Sequence, residues 1–116
     1  MTKERRWAIQ MWEQIKATLP KWYAYNKYEV GQRVLTYKYQ FCSDKQVYWL
    51  NYCWLCQYVM KPNCKRCPLK SCGYTSCGDA SPWQVVMDYH YSLELKLDAC
   101  DKIITALRGK QNATEQ

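Results

Sequence analysis

Four cysteines, Cys53, Cys56, Cys64 and Cys67, stand in the order C-x2-C-x7-C-x2-C. Each C-x2-C pair can bring two thiolates to one ion from a single local turn, so docking two such turns closes a tetrahedral site with sulfurs at about 2.3 Å. Zn2+ is the expected ion. A closed set of four thiolates leaves no coordination position for water or substrate, so the metal's role would be structural. Cys72 and Cys77 lie close behind and can replace one of the four without changing the chemistry. An iron–sulfur cluster is the alternative, because Cys67 is followed by Pro68 as in ferredoxin-type ligation, although the ferredoxin spacing is missing.

Disulfides are the competing use of clustered cysteines, and compartment decides between them. The chain opens MTKERRWAIQMWEQIK, charged where a secretory signal would be apolar, and contains no apolar run of membrane-spanning length. A reducing cytoplasm, that of a bacterial cell in the light of the resemblance given below, is the expected location, with no membrane partner. At 116 residues with eight cysteines, the chain suits a single metal-stapled domain over residues 1–109 and a polar tail over 110–116.

Charge is unevenly spread. Residues 1–70 carry 13 Lys/Arg against 4 Asp/Glu, whereas residues 71–116 carry 4 against 6. A polyanion, or a protein complex that handles one, is the partner such a distribution favours. Two stretches sharpen this. KPNCKRCPLK places Lys61, Lys65, Arg66 and Lys70 around the cysteine knuckles, and TYKYQF interleaves Lys38 with Tyr37 and Tyr39, as KWYAYNKY interleaves its own cations and rings. Cations for phosphates and rings for unpaired bases are the components of a single-strand binding surface. The partner is therefore expected to be a protein or nucleoprotein complex that handles nucleic acid, or DNA or RNA directly. Catalysis is not expected: the chain has one histidine and no nucleophile-elbow, phosphate-loop or deaminase motif, and nothing suggests a small-molecule substrate.

The elements that position these residues are read as α+β. Ala8, Met11, Trp12, Ile15 and Leu19 predict an amphipathic helix over residues 3–19, ended by Pro20. Alternation of Leu35, Tyr37, Tyr39 and Phe41 with Val34, Thr36, Lys38 and Gln40 predicts a strand, so residues 21–41 are expected to form a β-hairpin turning near Gly31. Ser43 and Gln46 fit a capping box that would start a helix leading into Cys53 and Cys56. Ser81, Pro82 and Gln84 open a final helix whose seam of Trp83, Val86, His90, Leu93, Leu97, Cys100, Ile104 and Leu107 predicts about 26 unbroken residues, near 39 Å, ending before Gly109. On that seam His90 is expected to be a packed core histidine and Cys100 a small buried hydrophobe; Cys42 stands outside the cluster.

Cys53, Cys56, Cys64, Cys67, Pro68, Leu69, Cys77, Ser81, Pro82 and Trp83 together resemble the signature of small phage- and prophage-encoded cysteine-cluster proteins. In these, two C-x2-C pairs, the second followed by Pro and an aliphatic residue, precede another cysteine and a Ser/Thr-Pro-aromatic helix start. The resemblance implies metal binding and a phage context and assigns no activity. Small phage proteins of this kind often block host machinery, CRISPR effectors included, so an anti-defence inhibitor such as an anti-CRISPR is the expected role. A direct DNA- or RNA-binding regulator is the alternative.

Overall fold

Asn26 marks the first interruption in a chain that is otherwise helical from Lys3. The computed structural model describes residues 3–47 and 82–108, and among these every regular element is a helix. The expected α+β architecture is thus corrected to an all-helical one within the described residues.

Helix α1 spans Lys3–Tyr25 and buries Ala8, Ile9, Met11, Trp12, Ile15 and Leu19. It does not end at Pro20 as the sequence suggests. The proline removes one backbone N–H, but its ring lies on the exposed side while Leu19 is fully buried. Trp22 and Tyr23 continue to pack on the core beyond it, and their burial carries the helix on for another turn.

The predicted hairpin is a helix–turn–helix corner. Asn26 takes an extended conformation (φ −162°, ψ 101°), and its side-chain Oδ1 accepts the backbone N–H of Tyr28 at 3.0 Å. This caps a 3-10 turn, Lys27–Glu29, that runs directly into helix α2, Val30–Lys45. The buried row of α2 is Val30, Val34, Lys38 and Cys42, a spacing of four throughout. With a lysine in that row, the apolar residues alone show a false alternation, and the helical period is hidden.

The Ser43 capping box is also corrected. Ser43 lies in the last turn of α2, where its carbonyl accepts the N–H of Gln46 at 3.2 Å while Val47 N–H reaches the carbonyl of Cys42 at 2.9 Å. Gln46 is left-handed (φ 59°, ψ 42°). These two bonds are the Schellman arrangement that satisfies the last carbonyls of a helix, so Ser43 to Gln46 end α2; the helix expected to lead into Cys53 and Cys56 lies outside the described residues.

The expected long C-terminal helix is two helices, α3 (Pro82–Met87) and α4 (Leu93–Arg108). Ser92 caps α4, its Oγ accepting the N–H of Leu95 at 3.3 Å. Lys96, one turn into α4, is fully buried, and its ammonium donates to the carbonyls of Val85 (3.0 Å), Val86 (2.8 Å) and Asp88 (2.6 Å). The chain therefore bends between the two helices, with the carbonyl end of α3 held by a side chain of α4.

Helices α1 and α4 run antiparallel: Lys16 pairs with Asp101 and Glu13 with Arg108, both at 2.5 Å. These exposed pairs fix register more than they stabilise. Trp83 lies at the centre, edge-on to Trp12 (centroids 5.9 Å apart, planes at 86°), with Lys38 Nζ 4.6 Å from its ring centroid. Helices α2 and α3 also run in opposite directions, Lys38 against Trp83 and Gly31 against Met87. A Cβ built on Gly31 would lie 2.6 Å from the Met87 carbonyl oxygen, so only glycine admits this approach.

Cys100 is fully buried, as its place in the seam suggests, and burial pushes its thiol pKa up to about 12 from 9.0.

Two outcomes are expected. Gly31→Ala forces α2 and α3 apart and lowers stability by roughly 1–3 kcal/mol in thermal or urea unfolding followed by circular dichroism; unchanged stability would show that the helices are not this close. The second concerns alkaline pH. A thiol whose pKa is raised in the fold contributes stability that is complete below pH 9 and lost as pH climbs towards about 12. Burial lowers the Lys96 pKa from 10.5, which acts in the opposite sense, and raises that of Tyr37 from 10.0, which acts in the same sense. Comparison with Cys100→Ala removes the Tyr37 contribution and most of that of Lys96, whose ammonium is also coupled to the Cys100 thiol. Between pH 9 and about 10.5 the stability of the native chain relative to Cys100→Ala should fall by roughly 2 kcal/mol.

Candidate nucleic-acid interface

Among the described residues, two tight turns bring three exposed tyrosine rings together. One is the Asn26 corner between α1 and α2; the other, Asp88–Ser92, joins α3 to α4. Because Gly31 packs against Met87, both turns emerge at the same end of the α2–α3 pair.

From the first turn come Tyr25 and Tyr28, 74% and 66% exposed, and from the second Tyr89, 50% exposed. Tyr28 and Tyr89 meet across the gap with ring centroids 5.3 Å apart and planes at 55°. Tyr89 is backed by the His90 ring, stacked at 4.2 Å with planes at 26°. Each ring of the first turn has its own cation: Lys27 Nζ lies 5.3 Å from the Tyr28 centroid and Arg33 Cζ 5.5 Å from that of Tyr25. Glu29 and Asp88 are the acidic groups here. Glu29 is 4.0 Å from Arg33.

Asp88 organises the second turn. Its Oδ1 accepts the backbone N–H of His90 at 2.9 Å and lies 2.6 Å from His90 Nδ1. An ionised carboxylate only accepts, so the ring proton sits on Nδ1. The backbone N–H of His90 first, and its ring second, hold the Asp88 carboxyl below its ordinary 3.8, with Lys96 adding a smaller pull in the same direction. His90 is thus a surface ring with a 67% exposed side chain, not the packed core histidine that the seam suggested.

The residues expected to bind are dispersed. Lys38 is fully buried and faces the ring of Trp83; its predicted exposure is corrected, because on a helix it belongs to the buried row. Tyr37 is half-buried beside Trp22 and Phe41, at centroid distances of 6.2 and 6.4 Å, and burial raises its phenol pKa. Tyr39 is 50% exposed, but on a helix it lies about 200° around the axis from Tyr37, where a strand would have placed the two side by side. Lys61, Lys65, Arg66 and Lys70 lie outside the described residues, as do Cys53, Cys56, Cys64, Cys67, Cys72 and Cys77. Among the described residues no three His, Cys, Asp or Glu side chains come together to hold a metal.

The rings and cations of the two turns were only partly visible beforehand. KWYAYNKY shows the alternation of charge and ring, but the 3-4 spacing that runs unbroken across residues 88–92 hides Tyr89 and His90 as turn residues. The signals for the break were Asp88 and Ser92, each able to cap a turn or a helix start.

No family model, curated protein or solved structure matches this chain. Among the described residues no helix is long and apolar enough to cross a membrane.

Acid titration tests the second turn. Asp88 should titrate below 3.8 by carboxyl-carbon NMR, and in His90→Ala its midpoint should rise only part of the way back, because the backbone N–H that contributes most is retained. A depressed carboxyl pKa adds stability that is present above 3.8 and lost as pH falls through the folded value, so the turn should loosen below about pH 4. A midpoint at or above 3.8 in the native chain would rule out the arrangement.

Proposed function

We propose that this chain is a non-catalytic, zinc-stapled binding protein of phage type that engages and blocks a host nucleic-acid-handling complex, as anti-CRISPR and other anti-defence proteins do. The observation that supports it is the pairing of exposed tyrosines with cations at one corner, Tyr28 with Lys27 and Tyr25 with Arg33. Rings and cations together suit contact with nucleic acid, and with proteins that carry it. Zinc at Cys53, Cys56, Cys64 and Cys67 belongs to this reading as the staple of the intervening segment, with Lys61, Lys65, Arg66 and Lys70 as further contacts.

The same corner also favours a second reading, direct binding of DNA or RNA as a regulator. A tagged full-length chain, incubated with bacterial lysate with and without nuclease, separates the two. Retention of a nuclease or effector complex after nuclease treatment, with loss of that complex's cleavage activity when the chain is added, is the expected result. Retention only before nuclease treatment favours the regulator, and no retention in either case defeats both. Zinc measured on the purified chain should be stoichiometric and fall in Cys53→Ser; metal-free native protein would remove the staple from the reading.

A further inference from the structure

We infer that Tyr25, Tyr28 and Tyr89, with Lys27 and Arg33, form a binding site for unpaired nucleotides of single-stranded DNA or RNA. This deepens the proposed function and rests on it: the corner would touch an exposed strand within the complex that the chain engages.

The first turn repeats one unit twice. Tyr25 with Arg33 and Tyr28 with Lys27 each join an exposed ring to a cation within 5.5 Å, which is what a nucleotide needs: a flat face for its base and a positive group for its phosphate. Between them the Asn26 side chain is occupied by the backbone of Tyr28, so the turn is held in shape before anything binds. The second turn braces the first. Tyr89 meets Tyr28 at 5.3 Å, is stacked on His90 at 4.2 Å, and His90 is anchored to Asp88 at 2.6 Å. The rings are therefore presented on a supported ledge, which reduces the ordering cost when a base stacks on it.

The chemistry selects unpaired bases. In a duplex the base faces are covered by their neighbours, whereas a single strand offers them to any exposed ring. Two carboxylates also stand at the corner, Glu29 4.0 Å from Arg33 and Asp88 against His90; they offset part of the attraction for phosphate, so stacking on the rings carries most of the preference for a single strand.

A fluorescent thymine oligonucleotide of about twelve residues and the corresponding duplex, titrated with the full chain at about 50 mM salt, provide the test. The oligonucleotide should bind roughly ten-fold or more tightly than the duplex, and Tyr28→Ala and Tyr89→Ala should each weaken it roughly five-fold or more. Tyr28→Leu, which keeps apolar bulk without a ring, should behave as the alanine variant does, Tyr28→Phe should restore binding, and Leu95→Ala on α4 should leave it unchanged. Lys27→Ala and Arg33→Ala should each reduce the slope of log affinity against log salt by roughly 0.7.

Absence of oligonucleotide binding by the native chain overturns the inference, as does binding that Tyr28→Leu and Tyr89→Ala leave unchanged. If the oligonucleotide stays free while those variants abolish retention of a host protein from nuclease-treated lysate, the corner docks protein, and the inference fails while the proposed function stands. If neither oligonucleotide nor host complex binds, both fail.

Discussion

The buried ammonium of Lys96 is the contact on which the arrangement of this molecule turns. Helix α3 is too short to be stable alone, and its last carbonyls point into the protein, where water cannot satisfy them. Lys96 supplies three donors, to the carbonyls of Val85 and Val86 in α3 and of Asp88 just beyond it, and its positive charge lies where the helix dipole is negative. An isolated buried charge is costly, but one with every proton donated is a bolt. That desolvation still lowers its pKa from the ordinary lysine value shows the burial is only partly offset. The geometry that results reverses the chain at residues 88–92, lays α4 along α1, and leaves Tyr89 and His90 on the outside of the bend.

Trp83 depends on that bend and in turn positions α2. With α3 held against α4, the indole faces Trp12 on one side and the Lys38 ammonium on the other. A cation over a desolvated indole face is worth more than the same pair in water, which helps to explain how a lysine occupies a core position. Gly31, one end of α2 away, lets the helix close on the Met87 carbonyl. The two buried lysines thus do structural work at either end of α3, and neither is available to a ligand.

This is also why the sequence was legible in some places and not in others. The apolar stripe of α1 and the seam of α4 follow the helical period, and both helices and the burial of Cys100 could be read from them. Residues 21–41 could not, because the period-four row that defines α2 passes through Lys38, and any pattern that counts lysine as exposed sees alternation instead. The C-terminal helix was overextended for the converse reason: the 3-4 spacing runs unbroken across residues 88–92, and only the capping chemistry of Asp88 and Ser92 speaks against it. The candidate corner inherits both errors. Its composition was visible in KWYAYNKY, but bringing Tyr28 to Tyr89 required knowing that each lies at a turn.

Antiparallel packing of α2 on α3 separates the tyrosine corner from one of the two points where residues 48–81 join the helices. Gly31 and Met87 lie at the corner; Pro82 starts the six-residue α3 only about 9 Å from Met87, but Lys45 ends α2 at its far end. Along a helix of 16 residues this is a separation of about 24 Å, two to three Debye lengths at physiological salt. Charges at one end have little electrostatic effect on the other through solvent. Helix α2 therefore acts as a spacer for one junction of residues 48–81 only, the one at its C-terminal end. The other junction, at Pro82, lies close enough to the corner for charges there to be felt through solvent.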